Sequence, residues 1–142
     1  MISNDNGSLT INKYKTVLNG TLTKEEFENS ELFMEVLNFQ IYGYTNYYLN
    51  PQTIDDSKFI IVLYFNKSDV LEYVKLGMLY NGNMPSWNNC SEVEELKRKD
   101  AHDKWLLMHI GKPPYKYNWG EVSSNYDPRS VSSMITIRYY KA

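Results

Sequence analysis

The run Phe59-Ile60-Ile61-Val62-Leu63-Tyr64-Phe65 constrains this chain more than any other stretch. Consecutive apolar, β-branched and aromatic residues favour an extended backbone and need burial. Seven residues fall far short of the roughly 20 that a helix needs to cross a bilayer. The stretch therefore reads as a core strand over 58–65.

The neighbouring segments suggest a sheet around it. Asn66-Lys67-Ser68-Asp69 has turn composition. In 70–80, Val70, Val74 and Met78 fit a helix, whereas Val70, Val74, Leu76, Met78 and Tyr80 fit one face of a strand. A strand pairing with 58–65 is favoured. The Tyr-rich segment 41–49 reads as a strand closed by Asn50-Pro51, and 9–11 with 14–18 supply a short strand before the turn signal Asn19-Gly20. The polar residues 1–8 are expected to be loose. Near the C-terminus, Asp127-Pro128-Arg129-Ser130 favours a type I turn. It joins 117–126 to 132–140, where Ile135, Ile137 and Tyr139 alternate with Thr136, Arg138 and Tyr140. This is a hairpin over about 117–140 with one core face and one wet face.

Two helices are expected. Thr23-Lys24-Glu25-Glu26 fits a capping box, and Phe27, Met34, Leu37 and Ile41 then share a helical face, which predicts a helix over about 24–40. Ser91-Glu92-Val93-Glu94 opens a second helix over about 92–110, stopped by Gly111 and the Pro113-Pro114 pair. Glu94/Arg98 and Glu95/Lys99 are acid-before-base pairs at i,i+4, and the nearly all-apolar end 105–110 should be buried. The fold class is α+β: one domain over 1–142, with a mainly antiparallel sheet, two principal helices and the C-terminal hairpin.

A net charge of -2 supplies no broad positive field, which argues against direct nucleic-acid binding. Cys90 has no second cysteine to pair with, and the first residues lack the charged and apolar regions of a secretion signal. A cytoplasmic, non-membrane protein is expected.

No stretch announces a reaction. The serines at 123, 124, 130, 132 and 133, with His102 or His109 and Asp127, have no G-x-S-x-G elbow or assembling spacing. His102 and His109 lie about 10 Å apart along a helix, too far for one ion unaided. The glycines are isolated, so there is no phosphate-cradling loop. No catalytic residue, metal or cofactor is assigned.

Binding features are more concrete. Glu28, Glu31 and Glu35 recur at i, i+3 and i+7 as an acidic stripe, with Asp55-Asp56 as an extension, suited to steering a basic partner. Tyr42, Tyr44, Tyr47 and Tyr48 occupy both faces of one segment, so they cannot all be core, and Tyr is a common interface residue. Trp87 sits in the most turn-rich stretch, and Trp119 opens the hairpin. Glu28, Glu31, Glu35, Asp55, Asp56, Tyr44, Tyr47, Trp87 and Trp119 are the candidate partner-binding residues.

In its acidic residues Glu28, Glu31, Glu35, Asp55 and Asp56, and in the hairpin start Trp119-Gly120-Glu121-Val122, the chain resembles immunity proteins of bacterial polymorphic or contact-dependent toxin systems. The resemblance implies a non-enzymatic, stoichiometric inhibitor of a cognate toxin, often a nuclease, whose basic C-terminal domain would be the partner. Two alternatives stand beside it. One is a small-molecule- or sugar-binding α+β domain, even an enzyme, with Trp87, Trp119 and Tyr117 lining a pocket. The other is a structural or phage-encoded interaction protein.

Overall fold

The structure, a computed structural model, describes residues 1–79 and 91–141. Trp87, Cys90 and the turn-rich stretch lie outside them. The described elements are β1 (Leu9–Thr10), β2 (Val17–Leu18), α1 (Lys24–Glu28), a 3-10 turn (Glu31–Glu35), β3 (Val36–Tyr42), β4 (Tyr44–Ile54), β5 (Ser57–Phe65), β6 (Leu71–Met78), α2 (Glu92–Ile110), β7 (Tyr115–Lys116), β8 (Gly120–Asp127) and β9 (Ser132–Tyr139). The class is α+β. Seven strands form one antiparallel sheet in the order β3-β4-β5-β6-β9-β8-β7, and β1 and β2 pair separately.

Cross-strand register sorts the side chains into two faces. On the core face, Tyr47, Leu63, Val74, Ile137 and Val122 form one row across five strands, and all five are buried. One residue along, the row Asn46, Tyr64, Tyr73, Arg138 and Glu121 lies on the opposite face. A period of two makes this sorting unavoidable once one face is buried. The core face is covered by Trp105, Leu106 and Ile110 of α2, by Leu9, Ile11 and Leu18, and by Phe27 and Leu32. Phe59 meets Trp105 edge to face at 4.9 Å, and each fully buried side chain of this kind contributes about 1.5–3 kcal/mol.

Strand 58–65, its partner strand in the 70–80 segment (described as Leu71–Met78, with Tyr80 outside the described residues), the helix over 92–110 and the C-terminal hairpin appear as expected. Ser91 Oγ accepts from the Glu94 amide at 3.0 Å at the start of α2. At its other end the last helical residue is followed by Gly111 with φ +90°.

Several expectations are corrected. The helix over 24–40 starts as predicted, with both halves of the Thr23–Glu26 capping box formed, but α1 ends at Glu28. The chain then makes the 3-10 turn and becomes the edge strand β3. The four residues assigned to one apolar face separate: Phe27 is buried, while Met34, Leu37 and Ile41 are exposed. Val36–Tyr42 carries no charge and is rich in β-favouring residues, and pairing with β4 overrides a coincidental helical spacing.

Asn50-Pro51 does not close β4, which runs on to Ile54 through an irregularity between Leu49 and Gln52. A bulge there removes the need for the proline N–H in the ladder. Within α2, Arg98 pairs with Glu95 rather than Glu94, and Lys99 pairs with Asp103, because Glu95 and Arg98 face inward together. The end 105–110 is only half buried, with Leu107 and Met108 exposed.

Residues 1–8, expected to be loose, are tied down. Ile2 bridges to Leu9, the Gly7 amide donates to the Ser3 carbonyl at 2.9 Å, and Trp119 Nε1 donates to the Asn4 carbonyl at 2.8 Å. Gly7 has φ +73° and lies against the Trp119 ring, where a Cβ would collide.

Candidate functional site

The acidic stripe does not exist as one helical face. Glu28 ends α1, and Glu31 and Glu35 begin and end the 3-10 turn. The three carboxylates nevertheless belong to a strongly charged segment: residues 24–35 hold five glutamates against one lysine, a net charge of -4. The chain as a whole carries only -2, so negative charge is concentrated there.

This segment packs beneath the edge of the sheet. The Tyr47 hydroxyl donates to Glu28 at 2.9 Å, and Gln52 Nε2 donates to the Glu35 carboxylate. Burial, followed by that bond to Glu28, raises the Tyr47 pKa strongly, so the phenol stays protonated. Around Tyr47 gather Phe27 at 5.0 Å, Phe65 at 5.8 Å, Phe33 at 6.0 Å and Phe39 at 6.3 Å. The first two are buried; Phe33 and Phe39 reach the surface.

Outward from this cluster runs β3, the outermost strand. Its Leu37, Phe39, Ile41 and Tyr42 are exposed by 62%, 61%, 65% and 79%. Phe39 and Ile41, with Met34 and Phe33 beside them, make an apolar ledge on the core-face side of the edge, far less covered than the rest of the sheet, whereas Tyr42, opposite Tyr44, points to the other face. Sequence reasoning missed the ledge because it placed Phe33, Met34, Leu37 and Phe39 in a helix over about 24–40 and began the strand only at Ile41. The alternation of Leu37, Phe39 and Ile41 with Asn38 and Gln40 was the available signal.

Asp55 and Asp56 lie elsewhere, in the tight turn between β4 and β5, with Asp55 at φ +56°. Asp56 Oδ1 accepts from Trp105 Nε1 at 3.0 Å and contacts His109 Nε2 at 3.1 Å; His109 Nδ1 lies 3.6 Å from Asp55. Burial pushes the Asp56 carboxyl up, but the bonds from Trp105 and His109 outweigh it and hold it below its usual range. Both acids thus fasten the end of α2 to the β4–β5 turn.

Trp119 stacks on Tyr117 at 4.9 Å and closes the N-terminal segment onto the sheet. The open face bears a shallow depression of about 500 Å³ walled by Tyr44, Tyr64, Tyr73, Lys75, Glu121 and Arg138 among others. There the Tyr44 hydroxyl donates to Glu72 at 2.6 Å, which raises its pKa, and burial pushes Tyr64 up to about 12.

The serines and histidines do not converge. Ser133 is buried and donates to the Glu95 carbonyl, Ser130 and Ser132 bond each other, and Asp127 accepts from the Arg129 amide. His102 Nε2 accepts from the Met78 amide at 2.9 Å. Among the described residues, no three His, Cys, Asp or Glu side chains come together as a metal site, and no helix is long and apolar enough to cross a membrane.

No protein-family model and no curated protein matches the chain. Its fold is similar to that of a chain in the solved structure described as Rhs1-CT in complex with cognate immunity protein RhsI1. The TM-score is 0.62 at 15% identity, over 97% of this chain and 85% of that chain. At such identity the likeness establishes a shared fold that takes in nearly every element described above.

Proposed function

We propose that this chain is an immunity protein that binds and neutralises a cognate toxin domain. The observation that carries the reading is the fold likeness over 97% of the chain to a chain from a toxin–immunity complex. The mechanism is stoichiometric occlusion, without turnover. The -4 segment around Glu28, Glu31 and Glu35 supports a basic partner, since a charged patch of one sign attracts the opposite sign and accelerates encounter. A nuclease fits that requirement, because it needs a positive surface for its phosphate-bearing substrate. The cytoplasm, where such a substrate lies, is the proposed location.

Of the candidate residues, Glu28, Glu31 and Glu35 are the proposed steering charges, with Tyr44 at the margin. Tyr47, Asp55, Asp56 and Trp119 spend their polar groups on intramolecular contacts. They serve by shaping the surface.

The test is survival of cells expressing the toxin domain encoded immediately upstream, with and without this chain. Rescue accompanied by a one-to-one complex on purification is the expected result. A harmless upstream product, or rescue without any complex, overturns the reading. A small-molecule site is the second reading, favoured by the tyrosine-walled depression on the open face. Ligand-induced thermal stabilisation that disappears in Tyr73→Ala would support it in place of the first.

A further inference from the structure

The two edges of the seven-stranded sheet are treated differently. At one edge, β7 is only Tyr115–Lys116, carries a lysine and is preceded by Pro113-Pro114. Short length, charge and proline are the usual devices that stop an edge from pairing with another chain. At the other edge, β3 runs for seven residues, Val36–Tyr42, with no charge and no proline. Its one protective feature is an irregularity at Leu37, close to its start. Alternate N–H and C=O groups of β3 point away from β4, and among the described residues no strand receives them.

The side chains match the backbone. Phe39 and Ile41 stand opposite Tyr47 and Thr45, Phe39 and Phe33 both meet the Tyr47 ring, and Met34, next to Phe33 in the 3-10 turn, is exposed. Glu28 is bonded to the hydroxyl of that same tyrosine, so carboxylate charge lies beside the ledge. The result is a strand paired on one side only among the described residues, an apolar shelf along it and a -4 rim.

On this basis we infer that β3 is the toxin-docking edge: an extended segment of a basic toxin domain pairs with it as an eighth strand and seats an apolar side chain among Phe33, Met34, Phe39 and Ile41. The inference rests on the immunity reading and says where on the molecule that function resides. Pairing by main-chain bonds supplies affinity, and side-chain recognition beside the strand supplies specificity. Charge decides between a toxin and a second copy of this chain. A two-fold contact through β3 would gather two -4 segments in one interface, whereas a basic partner neutralises one.

The experiment compares wild type, the β3 variant Phe39→Ser/Ile41→Ser and the control Leu107→Ser/Met108→Ser, which removes exposed apolar groups from α2 instead. Binding to the purified upstream toxin domain is measured by calorimetry, with amide hydrogen exchange of 36–42 in the free protein and the complex. The expected result is affinity at least about 100-fold weaker for the β3 variant only, a loss of about 2.7 kcal/mol, with new protection on alternate β3 amides in the wild-type complex. No binding by wild type overturns the immunity reading and this inference with it. Wild-type binding matched by the β3 variant, without new protection, overturns the inference alone. Sedimentation of wild type as a dimer and of the β3 variant as a monomer makes a second copy the occupant and also overturns it.

Discussion

The Tyr47 hydroxyl donates to the Glu28 carboxylate over 2.9 Å, joining the last residue of α1 to the centre of β4. Through this bond a core aromatic positions an acidic side chain beside the exposed edge strand. Tyr47→Phe keeps the ring contacts and removes the donor, so it should cost about 1.5–3 kcal/mol in urea unfolding, the range for a bond to a charged group. An unchanged midpoint would show that the bond does not hold α1 against β4.

Charge reversal tests steering apart from contact. Glu31→Lys with Glu35→Lys should slow association with the toxin domain about tenfold or more at low salt, with the difference shrinking as salt rises. Stopped-flow association rates at two ionic strengths measure it. Equal rates at low salt would remove the 24–35 segment from the encounter surface.

His102 makes the fold sensitive to acid. Burial, reinforced by Arg98 and Lys99 against the opposing effect of Asp103, lowers its pKa to about 4. Its Nε2 accepts from the Met78 amide, and its Nδ1 is buried without a partner among the described residues. The folded state therefore favours the neutral ring. This stability is fully present above the unfolded pKa of about 6.5 and drains away as pH falls toward 4, by about 3 kcal/mol. His102→Gln keeps an acceptor for Met78 and should flatten that part of the profile in urea midpoints between pH 7 and 4. Parallel profiles for the two proteins would exclude His102 as the cause.

Glu95 and Arg98 form the buried ion pair of α2, at 3.1 Å. Glu95 Oε1 also accepts from the Ser133 amide, and Arg98 donates to the Met78 carbonyl. The pair thereby links α2 to β9 and to the end of β6. Glu95→Ala strands a buried guanidinium and should destabilise by about 3–5 kcal/mol, whereas Glu95→Leu with Arg98→Met should cost much less. Chemical denaturation of both variants decides it, and equal losses would point to cavity formation instead.

Where the sequence was legible, local chemistry and tertiary demand agreed. The run at 59–65, the alternation at 135–139, the turn at Asp127 and the Ser91 and Gly111 signals each have one reading, and each element stands where that reading puts it. The 24–42 stretch is the reverse case. Its capping box correctly announced α1, but the helical spacing of Phe27, Met34, Leu37 and Ile41 competes with the strand alternation of Leu37, Phe39 and Ile41, and pairing with β4 chose between them.

The sequence by itself determined the α+β class, the core strands, the long helix and the excess of negative charge near residue 30, because periodicity, caps and charge are properties of neighbouring residues. Only the tertiary structure decided that Val36–Tyr42 is an edge strand, that Asp55, Asp56 and Trp119 are internal fastenings, and that the glutamates border an apolar ledge. Those outcomes depend on which strand finds which partner. An edge exists only once the rest of the sheet has formed, so no spacing within the segment encodes it.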